Sequence, residues 1–227
     1  MVEFTRLSES GEYTQRREEL RRAEIELIEH RERVAAMRRT LPDGPRVDDY
    51  VFVEGPRDLD AGDTPVREVR LSELFTGPGR VLIVYHLMYG KAQTTACPMC
   101  TMWIDGFNGV AQHVERNADF VVVAAADPAT LRAHARGRGW DRLRLLSCAN
   151  NTFKYDLRSE DEDGGQDSTI SVFNRDASGA VRHMYSAHPW ISTDMRERGI
   201  DLLCPTWHLL DLTSEGRGDW YASLSYD

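Results

Sequence analysis

Lysine is nearly absent from this chain: of 28 basic residues in 227, only Lys91 and Lys154 are not arginine. No arginine cluster accompanies a nucleic-acid motif, so the skew reads as a coding bias. Acidic residues outnumber basic ones and the net charge is −9, which argues against nucleic acid or an anionic membrane as the main partner. Long apolar runs are also missing. No stretch approaches membrane-spanning length, and Met1 to Gly11 lacks the basic region and apolar core of a leader. The expectation is a soluble, cytoplasmic protein. Cysteine is scarce, at four residues, and in a reducing compartment so few thiols do not make a structural disulfide framework. Cys148 and Cys204 stand alone, and no H-x-x-x-H spacing accompanies them as a second half of a zinc site. Neither a metal nor a cofactor is expected.

What is present suffices for a core. Hydrophobic residues make up 41%, with five Trp, eight Tyr and seven Phe, which excludes disorder for most of the chain. Residues 14 to 39 are dense in Arg and Glu and contain neither Gly nor Pro. Leu20, Leu27 and Val34 recur at heptad spacing, with Ala23, His30 and Met37 between them. That pattern predicts one narrow seam on a long helix, flanked by Glu18–Arg22 and Glu29–Arg33 pairs. The seam suits either the helix's own domain or a partner subunit, and the second alternative is the basis for expecting a homodimer. The helix stops before Pro42. The predicted division is a helical arm over 1–44 and a second domain over 45–227.

In the second domain, short strands are predicted at 50–53 and from Val69, then buried strands at 80–87, 120–126 and 143–146. Asp127 caps a helix over 128–137, with Pro128 in its first turn. An acidic, Gly-rich loop over 159–167 leads to a hairpin, 169–173 and 180–185, around Asp176–Gly179. Strands alternating with helices and ending in a hairpin describe an α/β mixed sheet with helices on both faces.

Between the strand at 80–87 and an apolar helical pattern lies Cys97-Pro98-Met99-Cys100. At a helix start, unpaired N–H groups and the helix dipole favour a thiolate. The second cysteine, one turn on, is near enough to close a disulfide. With this motif after the second core strand, the architecture expected is thioredoxin-like. Three readings of the pair stay open: dithiol exchange with Cys97 attacking and Cys100 resolving, half of a metal site, and a non-catalytic remnant in a binding protein. Pro98 costs no needed N–H and stiffens the loop. Thr94, three residues before Cys97, matches half of a thiol-peroxidase motif, whose proline is replaced by Gly90. A peroxidase therefore stands behind the exchange reading. His86 ends the preceding strand, where thioredoxin topology would bring it to the disulfide side, although a core or hydrogen-bonded role is the more ordinary one. Trp103 and Phe107 are read as packing the motif helix, Cys148 and Cys204 as small buried apolar residues, and Asp105 as a solvated or capping carboxylate.

These residues together resemble a bacterial family catalogued as domain of unknown function 899, placed in the thioredoxin-like superfamily and carrying dithiol–disulfide oxidoreductase as a working label. The resemblance runs through Arg38-Arg39-Thr40-Leu41-Pro42, Tyr50-Val51-Phe52, Val84-Tyr85-His86-Leu87-Met88-Tyr89 and Cys97-Pro98-Met99-Cys100-Thr101-Met102-Trp103-Ile104-Asp105-Gly106. It continues through Gly139-Trp140, Ser171-Val172-Phe173, Tyr185-Ser186 and Leu210-Asp211-Leu212-Thr213. It implies the thioredoxin-like fold and a thiol or disulfide substrate. The chain departs from thioredoxins in two places. Ala96 stands where they carry Trp, and no proline precedes Ile170, where Thr169 is found instead.

Overall fold

The structure is a computed structural model and describes residues 7–193 and 199–226. The first six residues of the stretch read for a leader, and of the predicted arm, lie outside the described residues. The chain divides into two compact units, Met1–Pro42 and Asp43–Asp227.

The first unit is built on one helix, α1, Gly11–Arg39. It starts earlier than the charge pattern alone predicts because Ser10 supplies a cap, its Oγ accepting the Tyr13 N–H at 3.2 Å. Glu12 in the first turn and Arg38 and Arg39 in the last complement the helix dipole. No residue of α1 is buried. The expected seam is too thin for that, since Leu20 and Leu27 are exposed and Val34 is half-buried. Charge pairs line the helix instead, Glu18 meeting both Arg21 at 2.7 Å and Arg22 at 3.3 Å. The predicted Glu29–Arg33 pair does not form. Arg33 reaches His30 Nδ1 at 3.1 Å, the imidazole being within one turn on the same flank.

The second unit is a thioredoxin-like seven-stranded mixed sheet. Its elements are β1 (Val51–Glu54), β2 (Arg67–Arg70), β3 (Leu82–Leu87), α2 (Pro98–Val114), β4 (Asp119–Ala124), α3 (Pro128–Arg138), β5 (Arg144–Ser147), α4 (Phe153–Asp156), β6 (Thr169–Arg175), β7 (Val181–Ala187) and α5 (Pro205–Leu210). The strand order is β2-β1-β5-β4-β3-β6-β7. β3, β4 and β5 run parallel, which requires the crossovers α2 and α3, while β6 and β7 return antiparallel. α4 and α5 lie in segments where the sequence predicts no helix. Both are short, and their apolar residues are too few to set a period.

A strand covered on both faces shows no polar alternation, and all six residues of β4 are buried. Two cores result. On one face Tyr85, Leu87, Val122 and Ala124 meet Cys100, Trp103, Ile104 and Phe107 of α2 and Leu131 and Ala135 of α3. On the other, Val84, Val121 and Val123 meet Phe52, Leu71, Leu74, Phe153 and Phe173.

Candidate active site

The backbone leaving β3 sets the position of the motif. After Met88 and Tyr89 the chain turns at Gly90, whose φ is +107° and where a Cβ would lie 2.1 Å from the Ala126 nitrogen. Only glycine fits that approach. The turn is closed by reciprocal Gly90 and Gln93 backbone hydrogen bonds of 2.7 and 3.0 Å. The Met88 carbonyl accepts both the Cys97 N–H and Gln93 Nε2, each at 3.1 Å. β3 is thereby tied to the first residue of the motif.

Cys97 is the N-cap of α2, in extended conformation, and Pro98 occupies the first helical turn. The Cys97 Sγ accepts the Cys100 N–H at 3.4 Å, as a capping oxygen would. Cys97 is partly exposed, whereas Cys100 is 1% exposed. Burial raises the Cys100 thiol well above its ordinary value, and the adjacent Cys97 sulfur adds to that. The Tyr85 hydroxyl and the Met88 backbone act in the opposite sense. Tyr85 is itself wholly buried and is raised by burial first and by Cys100 second.

Other α2 residues anchor the helix. Trp103 packs in the core beneath it. Thr101 Oγ1 donates to the Cys97 carbonyl at 3.0 Å and meets His134 Nε2 at 3.1 Å. His134 stands edge-on to Tyr89 and Trp140. Burial, then Arg138, lowers its pKa. Asp105 is not a solvated carboxylate. It accepts Trp140 Nε1 at 2.7 Å and binds the Arg138 guanidinium, tying α2 to the end of α3.

Thr94, His86 and Thr169 are the remaining predicted supporting residues. Thr94 is exposed and makes no hydrogen bond among the described residues. Register pairs Tyr85 with Ile170 and His86 with Thr169, so His86 and Thr169 face away from α2. His86 is fully buried, stacked on Phe153 at 5.2 Å, with Nε2 3.1 Å from Ser171 Oγ. Burial, then Lys154, pushes its pKa well below the ordinary value. Of the two readings of His86, the structure shows the core, hydrogen-bonded one and not the placement on the disulfide side. Tyr85 and Leu87 hold that face, and a period of two sends His86 to the other.

Two residues at this end of the sheet carry no sequence motif. One is His134, placed by α3. The other is Lys154 of α4, 1% exposed, whose Nζ donates to the Leu87 carbonyl at 2.8 Å. Cys148 and Cys204 are buried. Among the described residues, no three His, Cys, Asp or Glu side chains come together to hold a metal. No described helix is long and apolar enough to cross a membrane.

The fold is similar to several solved structures. AhpC of Mycobacterium bovis is 18% identical, over 80% of this chain and 98% of that one, with a TM-score of 0.48. Peroxidoxin BcpB from Mycobacterium tuberculosis is 19% identical, over 75% and 98%, with a TM-score of 0.49. Oxidized Prx3 from Vibrio vulnificus is 12% identical, over 64% and 90%, with a TM-score of 0.43. No curated protein matches the chain in sequence. Across residues 2–226 the chain matches the family described as bacterial protein of unknown function, DUF899, and it belongs to that family.

Proposed function

We propose that this protein is a cytoplasmic thiol–disulfide oxidoreductase that uses Cys97 as nucleophile and Cys100 as resolving thiol, without a cofactor. The observation that carries the reading is the asymmetry of the pair: a partly exposed sulfur capping α2, and a buried sulfur one turn inside. The helix N-terminus favours negative charge on the outer sulfur. The thiolate attacks one sulfur of a substrate disulfide, forms a mixed disulfide and expels the other sulfur as a thiolate. Cys100 then attacks Cys97, releasing the second substrate thiol. The substrate is reduced by two electrons and the pair is oxidised to a disulfide. Pro98 stiffens the intervening loop, and Trp103 holds the helix on its core.

The test is ordered labelling at neutral pH. Cys97 should alkylate at least about tenfold faster than Cys100, Cys148 and Cys204. Cys100→Ser should trap a mixed disulfide that Cys97→Ser cannot form. Equal, slow labelling of all four thiols defeats the proposal. Peroxide serves as a second substrate, because a rate exceeding that with disulfides would shift the reading to a thiol peroxidase.

The same proposal includes a homodimer through α1, supported by Leu20 and Leu27 standing exposed on a helix that buries no residue. Each leucine fully buried in a contact contributes about 1.5–3 kcal/mol. Leu20→Glu with Leu27→Glu should therefore convert a dimer to a folded monomer in sedimentation velocity. A wild-type monomer at tens of micromolar, the order expected for a functional interface, overturns this part alone.

A further inference from the structure

Lys154 is one of two lysines in a chain that otherwise uses arginine, and it is the buried one. Arginine keeps its proton in proteins, whereas a buried lysine changes protonation readily. A coding bias does not explain an ammonium held 1% exposed, since removing a charge from water costs several kcal/mol unless it is compensated. Its one hydrogen bond is to the Leu87 carbonyl, at 2.8 Å, and among the described residues no carboxylate pairs with it.

The titratable groups whose charge bears on Lys154 are Cys148 beyond β5, then Cys100 of α2, then Glu160 and Asp167 of the acidic loop, and the ammonium in turn bears on His86 of β3. The two carboxylates are already engaged. Glu160 is held by Lys91 and Gln166, and Asp167 by His188 at 2.8 Å. Cys148 Sγ is directed to the Ala124 carbonyl. Cys148 and Cys100 are the remaining acidic groups; Cys148 bears on the ammonium more strongly, and Cys100 is the one that the resolving step ionises. The peptide that accepts the ammonium adjoins Met88, whose carbonyl holds Cys97. The charge therefore lies beneath the motif at the C-terminal end of β3.

We propose that Lys154 is a positioning residue whose buried ammonium provides the counter-charge for the Cys100 thiolate in the resolving step. This rests on the dithiol reading above. In the mixed disulfide, Cys100 gives its proton to solvent and Lys154 stays protonated. The Cys100 thiolate forms the new bond to Cys97 Sγ, and the substrate sulfur leaves with the electron pair and takes up a proton. Burial lowers the lysine pKa to about 8, and the neighbouring thiols pull it back up when they ionise. The reactive state holds thiolate and ammonium together. Its population rises as the first proton leaves the pair and falls as the second leaves.

The experiment mixes the full-length protein with dithiobis-nitrobenzoate and follows nitrothiobenzoate release against pH. The first equivalent reports attack by Cys97 and the second reports resolution. In the wild type the second phase should give a bell-shaped profile. Lys154→Met should leave the first phase within about twofold, slow the second at least about tenfold and make it rise monotonically with pH. Lys154→Arg should retain the second phase and lose the falling limb. Cys148→Ala should keep the bell. A monotonic wild-type profile overturns the proposal even if the lysine variants fail to fold. A bell lost in Cys148→Ala also overturns it, by making Cys148 the counter-ion. A missing rapid first equivalent overturns the dithiol reading instead.

Discussion

The two faces of the central sheet differ in the charged groups they bury beside the motif. On the face covered by α2 and α3, the charged anchors are paired, although the buried Tyr85 hydroxyl and Trp103 Nε1 have no hydrogen-bond partner among the described residues. Asp105 satisfies Trp140 and Arg138, and Thr101 satisfies the Cys97 carbonyl. On the opposite face, His86 keeps one nitrogen without a partner among the described residues, and Lys154 has a carbonyl but no counter-charge. Paired groups fix an element in place, and removing one partner exposes the cost of the other. Unpaired ones cost stability in the resting protein and hold electrostatic potential where it can act. The first face anchors the motif helix through Asp105, and the second places charge behind it.

The sharpest test of this difference is the pH dependence of stability. Below the lowered Lys154 pKa of about 8 the side chain is protonated in folded and unfolded chains alike, and the folded state bears the full burial cost. Between about 8 and the ordinary 10.5, the unfolded chain holds a proton that the folded one has released, so this group makes stability rise with pH. Lys154→Met should then be more stable than wild type at neutral pH by on the order of 3 kcal/mol, the advantage vanishing as the unfolded lysine deprotonates. Cys148, pushed up to about 12 by burial, titrates with the opposite sign, so the difference between urea-unfolding curves of the two proteins is the quantity to read. A Lys154→Met protein less stable at neutral pH would remove the contrast between the faces.

On the α2 face the same kind of substitution should have the opposite outcome. Asp105→Ala leaves Trp140 Nε1 and a half-buried guanidinium without their acceptor, and should destabilise by roughly 2–3 kcal/mol. Loss of the anchor should also loosen the motif helix, seen as faster alkylation of Cys100. An unchanged urea midpoint would show that the network contributes nothing net.

The smallest effect is expected at His86. Phenylalanine there keeps the stacking on Phe153, and Ser171 retains Ser186 Oγ at 2.9 Å. His86→Phe should change stability by less than about 1 kcal/mol and leave the alkylation rate of Cys97 unaltered. A large loss of Cys97 reactivity would mean that His86 reaches the thiols through the sheet.

Local signals identified the parts of the molecule that local physics controls. β-branched runs marked β3 and β4. Asp127-Pro128 marked the start of α3, because a cap and an early proline satisfy backbone groups within a few residues. Cys97-Pro98-Met99-Cys100 before an apolar helical pattern was enough to put one sulfur at a helix start, since strand, motif and helix are contiguous. Tertiary structure decided which face each side chain joined. Residues 84–87 are apolar or aromatic throughout apart from His86, so their alternation separates His86 from Tyr85 and Leu87 without saying which face α2 covers. The crossover from β3 to β4 settles that. It also decided that Asp105 meets Trp140 and Arg138 across 35 and 33 residues of chain. Phe153-Lys154-Tyr155-Asp156 reads as a polar turn in isolation. Packing of Phe153 among Phe52, Phe173 and His86 draws the adjacent lysine inside with it, because burial is a property of the neighbours that a segment meets rather than of its own composition.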